Sequence, residues 1–163
     1  MSSDSYIIDT NVLLEAANNY YAFGRVPAFW EWLERQFVAG VVRTLTMVKD
    51  EVDFPPEVVS WVAERERDDH LVDESDPKIQ AEYGKMAAWL VSQPYGAEHI
   101  ASFMSKADLW IIAVAKVRGC TVVTQEVAAG RGSRKVRIPD VCAHFGIKCI
   151  NTFTLMEELD AHL

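Results

Sequence analysis

Four acidic residues stand apart from the other acids of this 163-residue chain, because each sits at the edge of an apolar segment. Asp9 follows Tyr6-Ile7-Ile8, and Glu51 ends the stretch Met47-Val48-Lys49-Asp50-Glu51. Asp108 opens the run Leu109-Trp110-Ile111-Ile112-Ala113-Val114-Ala115, and Glu126 lies just past Thr121-Val122-Val123-Thr124. Each also has a plain structural role open to it. Asp9 could cap a following helix, and Glu51 could be a solvated helix residue beside Asp50. Asp108 stands three residues after Ser105, at capping-box spacing, and Glu126 could be a turn residue. As a group they imply more. Carboxylates about 4 Å apart repel by roughly 4 kcal/mol per pair at an effective dielectric of about 20. A shared proton or a bound cation removes that cost. Ligands that are all oxygen suit a hard divalent ion, Mg²⁺ or Mn²⁺.

The surrounding sequence supplies elements that could bring these acids together. Tyr6-Ile7-Ile8 is a short apolar run bounded by polar residues, which predicts a buried strand, and Asp9-Thr10-Asn11 then predicts a strand-to-helix turn. A helix is expected over 11–18. Pro27 opens a helix whose Phe29, Trp30, Leu33 and Phe37 form one apolar stripe, and Gly40 ends it. Val41 to Leu45 predicts the second strand, followed by a short helix from Met47 to Val52 that carries Glu51. After Pro55-Pro56, Glu57 to Arg67 predicts an amphipathic helix, with the charged tail Glu64 to Asp69 as a solvated face. Asp76-Pro77 is an N-cap with proline at the first helical position, starting a helix lined by Ile79, Tyr83, Met86, Ala87 and Leu90.

The segment from Asp108 to Ala115 is apolar all round and should be buried. Gly119 stops it, and Thr121 to Thr124 predicts a third strand. The basic loop Arg131-Gly132-Ser133-Arg134-Lys135-Val136-Arg137 comes next. A short helix over Pro139 to Phe145, a fourth strand over Ile147 to Ile150 and a closing helix capped by Thr154 complete the chain. Strands alternating with helices predict an α/β fold with a mainly parallel sheet. In such sheets ligands gather beyond the carboxyl ends of the strands, where Asp9 and Glu126 would stand.

Composition bounds the reading. Half the residues are hydrophobic and a quarter charged, ordinary for a globular protein. The length suggests a single domain over residues 1–163. Met1-Ser2-Ser3-Asp4-Ser5 lacks the basic region of a secretory leader, and no apolar run is long enough to span a bilayer. Cys120, Cys142 and Cys149 are flanked by apolar residues, which fits reduced, buried thiols and a cytoplasmic location. The net charge of −8 speaks against nucleic acid as a partner only if the charge is evenly spread. A local basic strip can hold phosphates while an acidic cluster holds metal.

The motifs Asp-Thr-Asn after an apolar strand, the Glu in the third helix, Ala-Asp-x-x-Ile-Ala and Val-Val-Thr-x-Glu resemble those of PIN-domain ribonucleases, in particular the VapC-like toxins of bacterial toxin–antitoxin pairs. The Tyr-Tyr-Ala-Phe…Pro-Ala-Phe-Trp-Glu-Trp stretch is similar to a subgroup of stand-alone PIN-like proteins, and the resemblance runs from about Ser5 to Leu159. It implies a three-layer PIN-like fold, with a central mainly parallel sheet of four to five strands flanked by helices. It also implies Asp9, Glu51, Asp108 and Glu126 as ligands of one or two Mg²⁺ or Mn²⁺ ions, with Asn11 as a supporting polar residue. The implied reaction is metal-dependent hydrolysis of structured RNA such as tRNA, leaving a 5′-phosphate and a 3′-hydroxyl. A cognate antitoxin and a homodimer are the partners implied.

One departure is that the family usually has Asp at the fourth acidic position, where this chain has Glu126. Asp140, after Ile138-Pro139, is the alternative fourth ligand, helix capping being its other role. Arg131, Arg134, Lys135 and Arg137 begin five residues past Glu126 and are the candidate phosphate-binding residues; a solvated loop or an antitoxin-docking site accounts for the same charges.

Other readings fit less well. Cys120, Cys142, His144 and Cys149 match no common zinc spacing. His70, His99 and His162 have no evident partners, and the five tryptophans fall mostly on apolar helical stripes. A haloacid-dehalogenase-type phosphatase would need a second Asp where Asn11 stands. A catalytically silent PIN-like module that only binds RNA or protein is the main alternative to the nuclease.

Overall fold

Strand β1, Tyr6–Ile8, has all three side chains buried and forms the centre of the sheet in the computed structural model, which describes residues 5–163. The opening Met1-Ser2-Ser3-Asp4, read above for its lack of a leader, lies outside the described residues. Helix α1, Thr10–Glu15, follows at once and passes into a π-helical stretch, Ala16–Tyr20. The remaining elements are α2 (Pro27–Val38), β2 (Val42–Leu45), α3 (Val48–Glu51), α4 (Pro56–Arg67), β3 (Leu71–Val72), α5 (Pro77–Val91), α6 (Ala97–Met104), α7 (Asp108–Arg118), β4 (Thr121–Val123), α8 (Ile138–His144), β5 (Cys149–Ile150) and α9 (Thr152–Glu158).

The five strands make one parallel sheet in the order β3-β2-β1-β4-β5. The chain builds outward from β1 through β2 to β3 and then returns to the other side of β1 with β4. A topological switch point therefore lies between β1 and β4, the place where α/β sheets open a crevice at their carboxyl ends. Register is tight there. Ile8 pairs with Val123, and the Asp9 N–H donates to Val123 O at 2.9 Å, carrying the ladder one residue past the strand.

Helix α7 is the apolar spine expected from its sequence. Leu109 and Ile111 through Ala115 are all buried, against α5, β1 and β4. Gly119 ends it in the left-handed region at φ 69°, which costs a glycine nothing. Ile79, Met86 and Leu90 of α5 face this core, and Tyr83 stacks on Trp110 at 3.8 Å between ring centroids. Among the described residues no helix is long and apolar enough to cross a membrane.

Several local expectations need correction. The sheet has five strands, within the four to five expected, but the one at Leu71–Val72, which pairs with β2 through Thr44 and Leu45, was not picked out along the chain. Ala97–Met104 is a helix that the sequence reading passed over. The closing helix is capped by Asn151, whose Oδ1 accepts from the Thr154 N–H, so Thr154 lies inside the first turn. Ser105 forms no capping box with Asp108; its hydroxyl donates to Ser102 O. The charged tail of α4 is not wholly solvated, since Arg65 is buried beside Trp61. Of the cysteines, only Cys142 is fully buried, and all three are free thiols. Asp76 does cap α5, accepting from the Lys78 N–H.

Candidate active site

At the switch point, Asp9, Asn11, Glu51, Lys106, Asp108 and Glu126 line one groove of about 380 Å³, together with Thr10 and Leu14. The four acids singled out by the sequence thus share a groove. Asp9 follows β1, Glu126 follows β4, Glu51 ends α3 and Asp108 begins α7.

Three of the acids, Asp9, Glu51 and Glu126, are held by hydrogen bonds from neighbours. The Thr124 hydroxyl donates to Asp9 Oδ2 at 3.0 Å and accepts from the Glu126 N–H at 3.1 Å, so one side chain fixes two of the acids. Asn11 Oδ1 accepts from the Gln125 N–H at 3.1 Å, and Gln125 Oε1 takes both the N–H and the hydroxyl of Thr152. The end of β4 is therefore pinned to α1 on one side and α9 on the other. Glu51 accepts from the Thr10 hydroxyl at 2.8 Å and from the Ala107 N–H at 2.6 Å. That second bond satisfies an otherwise open donor at the head of α7 and sets Asp108 beside Glu51. Asp9 sits at the N-cap position of α1, yet its side chain makes no capping bond.

The electrostatics are those of a group crowded by its own sign. Asp9 is 3 % exposed, and burial, then Asp108, then Glu126 push its pKa up to about 8, against the bond from Thr124 that lowers it. Asp108 is pushed up to about 7 by burial, then by Glu126 and Glu51, with Lys106 opposing. Two carboxyl groups in one groove therefore hold protons near neutral pH.

Among the described residues no three acid, histidine or cysteine side chains close on one point as a formed metal centre does. Glu51 gives both oxygens to Thr10 and Ala107, and Glu126 Oε2 accepts from the Ile138 N–H at 2.8 Å. A carboxylate oxygen carries two lone pairs, so these bonds leave acceptor capacity for a cation. The donor set, oxygen-only and mutually repelling, fits a hard divalent ion. Asp140 has a different task. Its carboxylate accepts from the Ala129 and Gly130 N–H groups at 2.8 and 3.3 Å, bracing the loop rather than capping α8 or entering the groove.

The basic loop divides. Lys135 and Arg137 line a recess of about 270 Å³ that shares Lys106, Asp108 and Glu126 with the acidic groove and adds His99. Arg131 and Arg134 line a separate recess with Trp89 and His144. His99 and His162 stand 3.9 and 3.3 Å from Glu98 and Asp160, their chain neighbours, and the thiols and His144 form no zinc site among the described residues. The sequence reading missed Thr10, Lys106 and Thr124. Thr124 was visible in the motif Val-Val-Thr-x-Glu, as the polar residue where a buried strand ends. Lys106 stands two residues before Asp108. For Thr10 only its place between Asp9 and Asn11 gave a signal.

Comparison with known proteins bears on fold and family. The crystal structure of VapBC2 from Rickettsia felis bound to a DNA fragment from their promoter aligns with a TM-score of 0.51 at 15 % identity, over 90 % of this chain and 97 % of that one. At that identity the likeness concerns the fold, and the five-stranded parallel sheet flanked by helices is PIN-like. No curated protein matches the chain. A family model described as "Domain of unknown function (DUF4411)" matches residues 6–163, so the chain belongs to the DUF4411 family.

Proposed function

We propose that the protein is a metal-dependent endoribonuclease that hydrolyses RNA phosphodiester bonds, and that it serves as the toxin of a toxin–antitoxin pair. One observation carries the catalytic part: four carboxyl groups from four elements line one groove at the switch point, two of them with raised pKa values. Perturbed groups gathered in a cleft are the usual mark of a functional site. The toxin part draws on the PIN-like fold and on a structural neighbour that is a VapBC complex bound to promoter DNA; an antitoxin would be the matching partner of this chain.

A Mg²⁺ or Mn²⁺ ion held by Asp9, Glu51, Asp108 and Glu126 would supply Lewis-acid charge at the scissile phosphate and a more acidic water. The chain's own residues do the rest. Thr124 orients Asp9 and sets the backbone at Glu126. The Thr10–Glu51–Ala107 bonds hold the head of α7, and so Asp108, against α1. Lys106, Lys135 and Arg137 border the acids and would bind phosphate oxygens on either side of the cut. No side chain has to form a covalent bond to the substrate.

A binding module without activity is the second reading, favoured by the commitment of Glu51 and Glu126 to backbone N–H groups. Incubating the purified chain with total RNA and Mn²⁺ or Mg²⁺, then sequencing new 5′-phosphorylated ends, separates the two. The nuclease gives discrete cuts that EDTA and Asp9→Asn both abolish. Intact RNA under every condition, including RNA from the organism of origin, supports the binding module.

A further inference from the structure

Beyond the acidic groove lies a larger recess, about 950 Å³, whose walls include Trp89, Tyr95, Arg131, Arg134, Asp140 and His144. Its polar groups are unevenly committed. The Asp140 carboxylate is taken up by the Ala129 and Gly130 N–H groups. Among the described residues neither Arg131 nor Arg134 has a carboxylate within 4.0 Å, and both are exposed. Two guanidinium groups thus stand unpaired in a chain whose net charge is −8.

Part of the lining is aromatic. Trp89 of α5 and His144 of α8 stack at 4.0 Å between ring centroids with an 18° tilt, Phe145 lying edge-on to Trp89. Trp89 is only half-buried, and His144 is exposed. The Gly96 N–H donates to Arg134 O at 2.9 Å, which ties the basic loop to the turn between α5 and α6. A Cβ at Gly96 would meet the His99 ring at 2.9 Å, while Arg134 O would lie 3.7 Å away, at ordinary contact distance.

We propose that this recess is a subsite for single-stranded RNA flanking the scissile bond, with bases on the Trp89–His144 wall and phosphates on Arg131 and Arg134. This rests on the ribonuclease reading and extends it. One loop delivers Arg131 and Arg134 to this recess, and Lys135 and Arg137 to the smaller recess that shares Lys106, Asp108 and Glu126 with the acidic groove. A polyanion with charge repeated along its length can engage both at once. Aromatic faces beside guanidinium groups bind unpaired nucleotides of any sequence, because every base has a face to stack. Bases paired in a duplex do not present those faces.

The test uses the full chain in EDTA, which prevents cleavage, with a fluorescent oligoadenylate of about 12 nucleotides read by anisotropy across a salt series. Arg131→Ala combined with Arg134→Ala should weaken binding and flatten the salt slope by about 1.4, roughly 0.7 per lost phosphate contact. His144→Ala, a surface change, and Trp89→Leu should each weaken binding about tenfold. Duplex RNA and polyglutamate should compete poorly. If these variants bind as wild type does while Lys135→Ala with Arg137→Ala weakens binding, the subsite is overturned and the ribonuclease reading stands. Equal competition by duplex RNA or by polyglutamate also overturns it. A wild type that neither binds nor cleaves RNA removes both readings.

Discussion

Two buried charges in this molecule have opposite surroundings. Arg65 is 1 % exposed and Asp9 is 3 % exposed. The Arg65 guanidinium lies over the Trp61 ring at 4.6 Å, with Glu64 at 3.0 Å and Glu34 at 3.5 Å. Its charge is met by opposite charge and by an aromatic face. Asp9 is met by Asp108 and Glu126, and its neutral partners are the Thr124 hydroxyl and the Thr10 backbone N–H. Both are costly to bury, but at Arg65 the fold sets opposite charge and an aromatic face beside the guanidinium, although its Nε and Nη1 make no hydrogen bond among the described residues. At Asp9 the compensation has to come from a proton or from a cation outside the chain. The first arrangement holds a helix to its neighbours; the second prepares a site.

Replacing each residue should separate these roles. The largest effect is expected from Asp9→Asn on RNA cleavage. Several kcal/mol of lost charge stabilisation, at about 1.4 kcal/mol per factor of ten, corresponds to a fall of about 1,000-fold or more, read as initial rate with Mn²⁺. The same change should raise, not lower, the unfolding midpoint of the metal-free protein at pH 7. Arg65→Ala should do the reverse. Lost packing and cation–π contact lower stability by about 2–4 kcal/mol in denaturant unfolding, while cleavage persists wherever the protein stays folded. If Arg65→Ala stops cleavage in the folded protein, the contrast between the two charges fails.

The third effect is a pH dependence. In the unfolded chain Asp9 ionises near its ordinary 3.8, and in the folded chain near 8. Below about pH 4 both states hold the proton and nothing is lost. Between about pH 4 and pH 8 the unfolded state gives up its proton first, so this group makes stability fall as pH rises, and the loss levels off above pH 8. Metal-free wild type should show that decline in its unfolding midpoint, and Asp9→Asn should show less of it. Superimposable wild-type and variant profiles would mean that Asp9 is not crowded as described.

The legible parts of the sequence were those where pattern and chemistry coincide in a few residues. Tyr6-Ile7-Ile8 followed by Asp9-Thr10-Asn11 announced a buried strand and the acid at its end. The all-apolar α7 announced where Asp108 would sit. What was missed depends on tertiary partners. Leu71–Val72 is two residues long between His70 and Asp73, too short to show alternation, and becomes a strand only because β2 offers a free edge. Helix α6 follows Gly96, whose lack of a side chain leaves no capping signal.

The supporting bonds to the acids were equally hidden. Glu51 meets a backbone N–H 56 positions away, and no local pattern encodes that. The basic loop is tied to the turn between α5 and α6 by the bond from the Gly96 N–H to Arg134 O, 38 positions apart. The fourth acid illustrates both sides: Glu126 was found at its strand end, and only the structure shows Asp140 turned to brace the loop.

The central claim is that Asp9 and Asp108 hold protons that a divalent cation displaces. Calorimetric titration of Mn²⁺ into the wild-type protein at pH 7, repeated in two buffers of different ionisation enthalpy, counts those protons. With pKa values near 8 and 7, binding should release about 1.4 protons at pH 7, about 0.9 from Asp9 and about 0.5 from Asp108, the release fading as pH rises past both values. Asp9→Asn should lose both the binding and the proton release. Binding with no proton released, or binding undiminished in Asp9→Asn, would contradict the claim.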